Sequence, residues 1–289
     1  MGSLRHFEYF EPRDVDETLS LLNQWKSDAK IIAGGTDLIP LMRDRLVTPK
    51  RVIDINKLSE LEFIKETDEG IEIGALTRLR AIETSPLVRE RIPLLAEAAE
   101  QVASIQVRNV GTIAGNLVNA SPAADMAPSL LVLEAKVRTR RTGGKREIAL
   151  SRFFTGVKET VLENDELVTD IFVPKMVAHT GGAFMKIGKR SALVISTASA
   201  ASSITLNHGR NNVRVALGSV APTPVRARGV EDFLESHEIT QKTIKEASDL
   251  VPNDISPITD HRSTAEYRKE VSKVLTKRAL TKAFEMARR

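Results

Sequence analysis

Two glycine-bearing segments carry the residue types that could do chemistry in this chain: Ala33 to Asp37 (AGGTD) and Gly111 to Asn116 (GTIAGN). Glycine lets main chain approach an anion without a side chain intervening, and the N–H groups of such a turn or helix start favour phosphate. The second segment brings Gly111, Thr112, Gly115 and Asn116 together with Ser121 and Asp125. Hydroxyls, an amide and a carboxylate within one span suit a diphosphate and sugar hydroxyls. Two such segments point to a large phosphate-bearing ligand. Each feature also has a purely architectural reading. Gly34 and Gly35 would supply unusual dihedrals to a β-to-α turn that Thr36 or Asp37 caps, and Asp125 would cap its own helix. Lys186, between Phe184 and Ile187, would be the solvent-facing residue of an alternating strand.

Other chemistries are excluded more firmly. Five residues separate Gly182 from Gly188, and Arg190 stands where a Walker loop needs Ser or Thr, so this stretch is not a nucleotide P-loop. No G-x-G-x-x-G follows a strand, which removes the standard Rossmann site. His6, His179, His208, His237 and His261 have no ligand spacing, so no metal site is expected. With no cysteine, the chain carries no disulfide, no thiolate zinc site, no cysteine nucleophile and no cysteine-ligated iron–sulfur cluster. Any redox centre it holds is organic or lies on another polypeptide.

The chain has 289 residues, 42% of them hydrophobic, enough for two or three small domains. Its 42 basic and 38 acidic residues leave a net charge of +4, spread along the chain apart from short clusters such as Arg138 to Arg141. Aromatic residues make up only 4%, too few for base-stacking platforms, so nucleic acid is not an expected partner. No apolar stretch approaches a membrane span, and MGSLRHFEYF lacks the apolar core of a signal peptide, so the expected location is the cytoplasm. The sequon at Asn119 is then a chance match.

The elements that must position the two segments follow from periodicity. Asp14 and Glu17 resemble a capping box ahead of Val15, Leu19 and Leu22, giving a helix that ends before Asp28. A strand over Lys30 to Ala33, a helix over Leu38 to Asp44 and a strand over Arg51 to Ile55 form a small β-α-β unit, with the first segment at its strand-to-helix turn. Glu62 to Lys65 and Ile71 to Gly74 read as a hairpin, and Leu79 to Glu83, Leu94 to Val102 and Asp125 to Leu133 as helices. Ala135 to Arg140 and Leu167 to Val173 read as strands. The Pro174 to Gly182 segment marks a domain boundary. Ser196 to Leu206 and Val213 to Val220 form a hairpin around Asn207 to Asn212. Ser263 and Glu266 form an S-x-x-E box ahead of a closing helix.

In their order and spacing, IIAGGTDL (Ile31 to Leu38), VRNVGTIAGN (Val107 to Asn116) and SPAADMAP (Ser121 to Pro128) resemble the FAD-binding medium subunit of the molybdenum hydroxylases, the group of carbon monoxide, nicotinate and xanthine dehydrogenases. FMKIGKRSALVIS (Phe184 to Ser196) and STAEYRKEVSKVLTKRAL (Ser263 to Leu280) extend the likeness over essentially the whole chain. The resemblance implies an α+β protein with a PCMH-type FAD-binding fold. Two α/β subdomains (about 1–56 and 57–176) would clasp FAD within 1–176, and 177–289 would form a C-terminal α+β domain, an antiparallel sheet with helices. It also implies a cofactor site. Ile31, Ile32, Ala33, Gly34, Gly35, Thr36, Asp37 and Leu38, with Thr112, Ile113, Ala114, Gly115 and Asn116, would contact the diphosphate, and Asp125 the ribityl or diphosphate region. Val102 would also contact the cofactor, Val168 and Lys186 the flavin, and Ile195 would lie near the isoalloxazine face. Ala114 departs from the family, many members having a second glycine there; a negative φ would make the alanine harmless, and that is expected.

On this resemblance the chain is an oxidoreductase subunit that relays electrons through FAD and has no catalytic base of its own. Molybdopterin would sit on a large subunit and two [2Fe–2S] clusters on a small one, in a heterotrimer or a dimer of heterotrimers. NAD, oxygen, a quinone or another carrier would accept the electrons. The absence of cysteine argues against the branch similar to hydroxybenzoyl-CoA reductase, whose flavin subunit carries an extra cluster. Two alternatives remain: a free-standing FAD oxidoreductase with substrate on the flavin, or a scaffold or maturation protein of the same fold without flavin. The first would need a substrate pocket that the few aromatics and scattered histidines do not mark, and retention of AGGTD, GTIAGN and Asp125 speaks against the second.

Overall fold

The computed structural model describes residues 4–190, 193–207 and 211–289. Asp14 opens the first helix, α1 (Val15–Trp25), its carboxylate accepting the Glu17 N–H. Glu17 in turn accepts from the Arg13 N–H, one residue before the cap. The buried stripe Val15, Leu19 and Leu22 packs onto Ile53, Ile55, Leu58 and Leu61. Beneath it, β1 (Glu8–Phe10), β2 (Ala29–Ile32) and β3 (Arg51–Asp54) form a parallel sheet in the order β1-β3-β2. The short α2 (Leu38–Arg43) crosses over between β2 and β3, as the periodicity of the segment predicts.

The middle region carries a five-stranded antiparallel sheet, so its architecture is α+β. β4 (Ile64–Glu66), β5 (Gly70–Gly74), β6 (Lys136–Arg141), β7 (Gly144–Ala149) and β10 (Leu167–Pro174) lie in the order β4-β5-β10-β6-β7, beside a two-stranded ribbon of β8 (Phe154–Gly156) and β9 (Glu159–Thr160). Six helices accompany the sheet: α3 (Leu79–Thr84), α4 (Pro86–Arg91), α5 (Pro93–Glu100), α6 (Ile105–Val110), α7 (Ile113–Val118) and α8 (Met126–Val132). Ile71, Ile73, Val137 and Ile171 face Leu94, Leu95, Leu130 and Leu131 in one core. The cationic run Arg138 to Arg141 falls in β6, where Arg138 is held by Glu72, Glu147 and Asp170. That is an internal ion-pair network.

The last sheet runs β11 (Thr180–Ile187), β12 (Ala198–Thr205), β13 (Asn212–Gly218) and β14 (Val225–Arg226), antiparallel in that order. Val213 and Val215 share a core with α9 (Arg228–Glu235), α10 (Gln241–Asp249) and α11 (Ala265–Ala287), through Val230, Ile244, Leu280 and Ala283. Phe184, Ala201 and Ala216 join the middle core instead, so this sheet is buried on both faces, with β11 against α5 and β12 and β13 against α8.

Several elements depart from the sequence reading. Thr264 rather than Ser263 caps α11, accepting the Tyr267 N–H. β13 ends at Gly218 because Ser219 takes φ +65. Periodicity did not reveal β7, β8, β9, α4, α6 or α7, which are too short for a period to register or, in β7, almost wholly exposed. His208 lies outside the described residues, as do Gly209 and Arg210 within the expected turn.

Candidate functional site

The first glycine segment leaves β2 at Ile32 and enters α2 at Leu38. Gly35 adopts φ +68, a left-handed conformation that β-carbon sterics penalise in other residues. The N–H groups of Gly34, Gly35, Thr36 and Asp37 have no acceptor among the described residues. Asp37 does not cap α2 with its side chain. Its carboxylate accepts from Asn119 Nδ2 at 2.7 Å, and Asn119 Oδ1 accepts from Lys158 Nζ at 2.7 Å.

The second segment is a helix junction more than a loop. Thr112 caps α7, its hydroxyl accepting the Gly115 N–H at 3.0 Å. Ile113 donates to the Thr77 carbonyl, Ala114 to Ala75 and Asn116 to Thr112, so these amides are already committed within the chain. The Thr112 N–H has no acceptor among the described residues, Ile113 and Ala114 are buried in the middle core, and the buried Asn116 Oδ1 has no partner among the described residues. Ala114 is helical with φ negative, so its methyl strains nothing, as expected.

The two segments touch. A Cβ on Gly34 would lie 2.1 Å from the Val110 carbonyl oxygen. A clamp invisible in the motifs holds them there. Asn56 Nδ2 donates to the Ala33 carbonyl at 2.7 Å, and Arg78 donates both to Asn56 Oδ1 at 2.9 Å and to the Val110 carbonyl at 2.6 Å. Asn56 is itself oriented by Asp54, whose Oδ1 accepts from the Asn56 backbone N–H and from its side-chain amide. Its sequence signal was its position just beyond the carboxyl end of a parallel strand, where open α/β sheets present ligand-binding groups.

A second cluster surrounds Lys186. At 8% side-chain exposure it is not the solvent-facing residue that strand alternation suggests. Its ammonium donates to Asp125 Oδ2 at 2.7 Å, to the Gln101 carbonyl at 2.7 Å and to the Val194 carbonyl at 3.2 Å. Asp125 makes no cap hydrogen bond to α8. Its other oxygen accepts from the Ser196 hydroxyl. Burial pushes the Asp125 carboxyl up, against the pull of Lys186 and Ser196. The pair therefore ties the end of α5, the start of α8 and the strand approaching β12 into one unit.

Val102 follows Gln101, and Ile195 lies between Val194 and Ser196, so both belong to this unit. Val102 packs into the core, whereas Ile195 is 57% exposed. Val168 is also a core residue, tied to the other cluster: its neighbour Thr169 accepts the Ala75 N–H, and Ala75 accepts that of Ala114. Ile32 lies beside Gly35, while Ile31 packs beneath the first sheet's helix. A cleft of about 610 Å³ opens at Lys186, with Gln101, Ser104 and Arg108 on one side and Ile187, Gly188 and Val194 on the other. Among the described residues no group of histidine and carboxylate side chains could hold a metal, and no helix is long and apolar enough to cross a membrane.

Comparison with known proteins shows the family and the fold. The sequence model for the FAD binding domain in molybdopterin dehydrogenase matches residues 5–176, and that for the CO dehydrogenase flavoprotein C-terminal domain matches 183–283. The carbon monoxide dehydrogenase medium chain of Hydrogenophaga pseudoflava is 36% identical, over 96% of this chain and 97% of the relative. The nicotinate dehydrogenase FAD-subunit of Eubacterium barkeri is 33% identical over 92% of each. The xanthine dehydrogenase FAD-binding subunit of Escherichia coli O157:H7 is 31% identical over 96% of each. The solved structure of the Hydrogenophaga carbon monoxide dehydrogenase superposes with a TM-score of 0.94 over 99% of both chains. That of quinoline 2-oxidoreductase from Pseudomonas putida 86 superposes at 0.92, covering 99% of each, with 29% identity.

Proposed function

The chain belongs to the family of FAD-binding medium subunits of the molybdenum hydroxylases, and from that premise we propose that it seats FAD between its two glycine segments and passes electrons from a partner's [2Fe–2S] clusters to an external acceptor. The observation that carries this reading is the row of unpaired N–H groups from Gly34 to Asp37, held against the second segment by Asn56 and Arg78. Unpaired donors at a β-to-α turn suit an anionic diphosphate. The orphaned Asn116 Oδ1 suits a hydroxyl donor such as a ribityl or ribose group. The residues present therefore fit FAD.

In this reading Ala33 to Leu38 hold the diphosphate, with Thr112 and Asn116 adding a hydroxyl and an amide. Lys186 holds Asp125 and the Val194 to Ser196 segment in place, which fixes the backbone on both sides of Ile195. Val168, joined to α7 through Ala75, supports the second segment from below. Bound FAD supplies the chemistry, collecting single electrons from iron–sulfur donors for delivery to a two-electron acceptor. No side chain here is assigned a proton transfer.

A chain without cysteine holds no cysteine-ligated iron–sulfur cluster, so the clusters of this relay belong on another polypeptide. The relative from Hydrogenophaga is a medium chain, which supports a large molybdopterin subunit and a small [2Fe–2S] subunit as partners in a heterotrimer or a dimer of heterotrimers. NAD or a quinone is the acceptor class proposed. The test is the visible spectrum of the purified chain, followed by identification of the small molecule that heat releases. About one FAD per chain is expected; a colourless chain that takes up no added FAD, even beside its partner subunits, overturns the proposal in favour of a flavin-free scaffold.

A further inference from the structure

The free N–H groups of the first segment lie beside a carboxylate, Asp37, which by charge alone would repel the anion those donors favour. A relay of side chains answers it. Asp37 Oδ1 accepts from Asn119, and Asn119 accepts from Lys158, each at 2.7 Å. The turn that delivers Lys158 is held in place against strain: Lys158 has φ +63, its N–H donates to the Ala120 carbonyl at 3.0 Å, and Ala120 has φ +43. Non-glycine residues hold left-handed backbone only where their surroundings over-determine it, and such strain gathers at ligand clamps. Among the described residues Asn119 Oδ1 is the acceptor of the Lys158 ammonium, which leaves further N–H donors on an exposed side chain. Arg78, the other cation at this junction, already serves Asn56 and Val110.

We propose that Lys158 is the cation that receives the diphosphate of a dinucleotide seated over Gly34 to Asp37. The inference rests on the reading of this site as a dinucleotide site, and it adds a residue from the β8–β9 turn that the two glycine motifs do not contain. Lys158 offsets Asp37 in the free chain through Asn119 and turns to the phosphates when the ligand arrives. Although the side chain is exposed, partial desolvation by the surrounding chain lowers the ammonium from its usual value while Asp37 raises it, so an arriving anion strengthens the charged form. The diphosphate could belong to FAD or to a nicotinamide dinucleotide acceptor approaching it, and the two are separable.

The experiment compares the full chain with Lys158→Met and Lys158→Arg, titrating FAD into flavin-stripped protein at low and high salt, then measuring flavin reduction by NADH at saturating FAD. If the resident cofactor is the anion, Lys158→Met weakens FAD binding about tenfold at low salt. The deficit shrinks at high salt, Arg restores affinity, and the thermal midpoint of the flavin-free protein is unchanged. If the acceptor is the anion, FAD binding is retained and half-saturation by NADH rises by a similar factor. Unchanged affinity and salt dependence for both ligands overturns the assignment of Lys158 alone. A wild-type chain that binds no FAD overturns the cofactor reading itself, and Lys158 with it.

Discussion

Gly34 and Val110 are in backbone contact: a single β-carbon on Gly34 would stand 2.1 Å from the Val110 carbonyl oxygen. The glycine is needed for this approach, and through it residues distant in the chain form one surface. Gly35, one residue on, is needed for its φ of +68 instead.

Two different losses should therefore follow substitution of these neighbours. Gly34→Ala must push the segments apart, so FAD retention should fall more than tenfold while most of the fold survives. Gly35→Ala should cost about 1–2 kcal/mol of stability through its left-handed φ. Thermal melts of the flavin-free variants beside fluorescence titrations with FAD would check this. Equal FAD affinity in Gly34→Ala and wild type would show that the contact does not shape the site.

Asn56→Ala should release both the Ala33 carbonyl and the Arg78 guanidinium, which hold the two segments together. A loss of about 1–3 kcal/mol is expected for an amide that satisfies partners on both sides. FAD affinity should fall further than global stability does, and Arg78→Met should reproduce much of the effect. A double-mutant cycle reads the coupling; strictly additive losses would mean that the two side chains act independently.

Lys186→Met should leave Asp125 buried at 4% exposure with only Ser196 as partner, at a cost of about 3–5 kcal/mol. Pairing it with Asp125→Asn should recover part of that loss, because the uncompensated charge is gone. Chemical denaturation of the two variants decides. A double variant less stable than Lys186→Met would mean that the carboxylate is held by groups other than the lysine.

Acid stability should report Asp260. Burial raises its pKa, but the Arg262 N–H, the Arg268 guanidinium and the Ser263 N–H outweigh that and hold it at about 2. A folded-state value below the unfolded value of about 3.9 means that the stabilisation is fully present above about pH 4 and disappears as pH falls towards 2. Arg268 also donates to the Thr197 and Ser219 carbonyls at 2.7 Å each, so this pair anchors the segment before β12 that carries Ser196 to Asp125. Asp260→Asn should lower the melting temperature at pH 7, with the difference vanishing near pH 2. A difference constant across that range would rule out the ionised pair as its source.

The sequence by itself determined what depends on local chemistry. Val15, Leu19 and Leu22 at helical spacing gave α1, the alternation in RVIDI gave β3, and Gly34 and Gly35 marked a turn that needs both a close approach and a left-handed residue. The absence of cysteine excluded a cysteine-ligated metal cluster from this chain. The ordered motifs identified the family and so nominated Asp125 and Lys186. Tertiary structure alone decided how these parts meet. Periodicity placed Lys186 towards solvent, yet the third sheet is covered on both faces and turns it inward onto Asp125, Gln101 and Val194. The second segment read as an open loop, but carbonyls at the end of β5 take its amides and leave the first segment as the donor surface. Asn56, Arg78, Asn119 and Lys158 belong to no motif, because each acts across tens of residues of intervening chain. Local preference encodes the shape of a turn, whereas a hydrogen bond between distant segments exists only once packed elements hold donor and acceptor within about 3 Å.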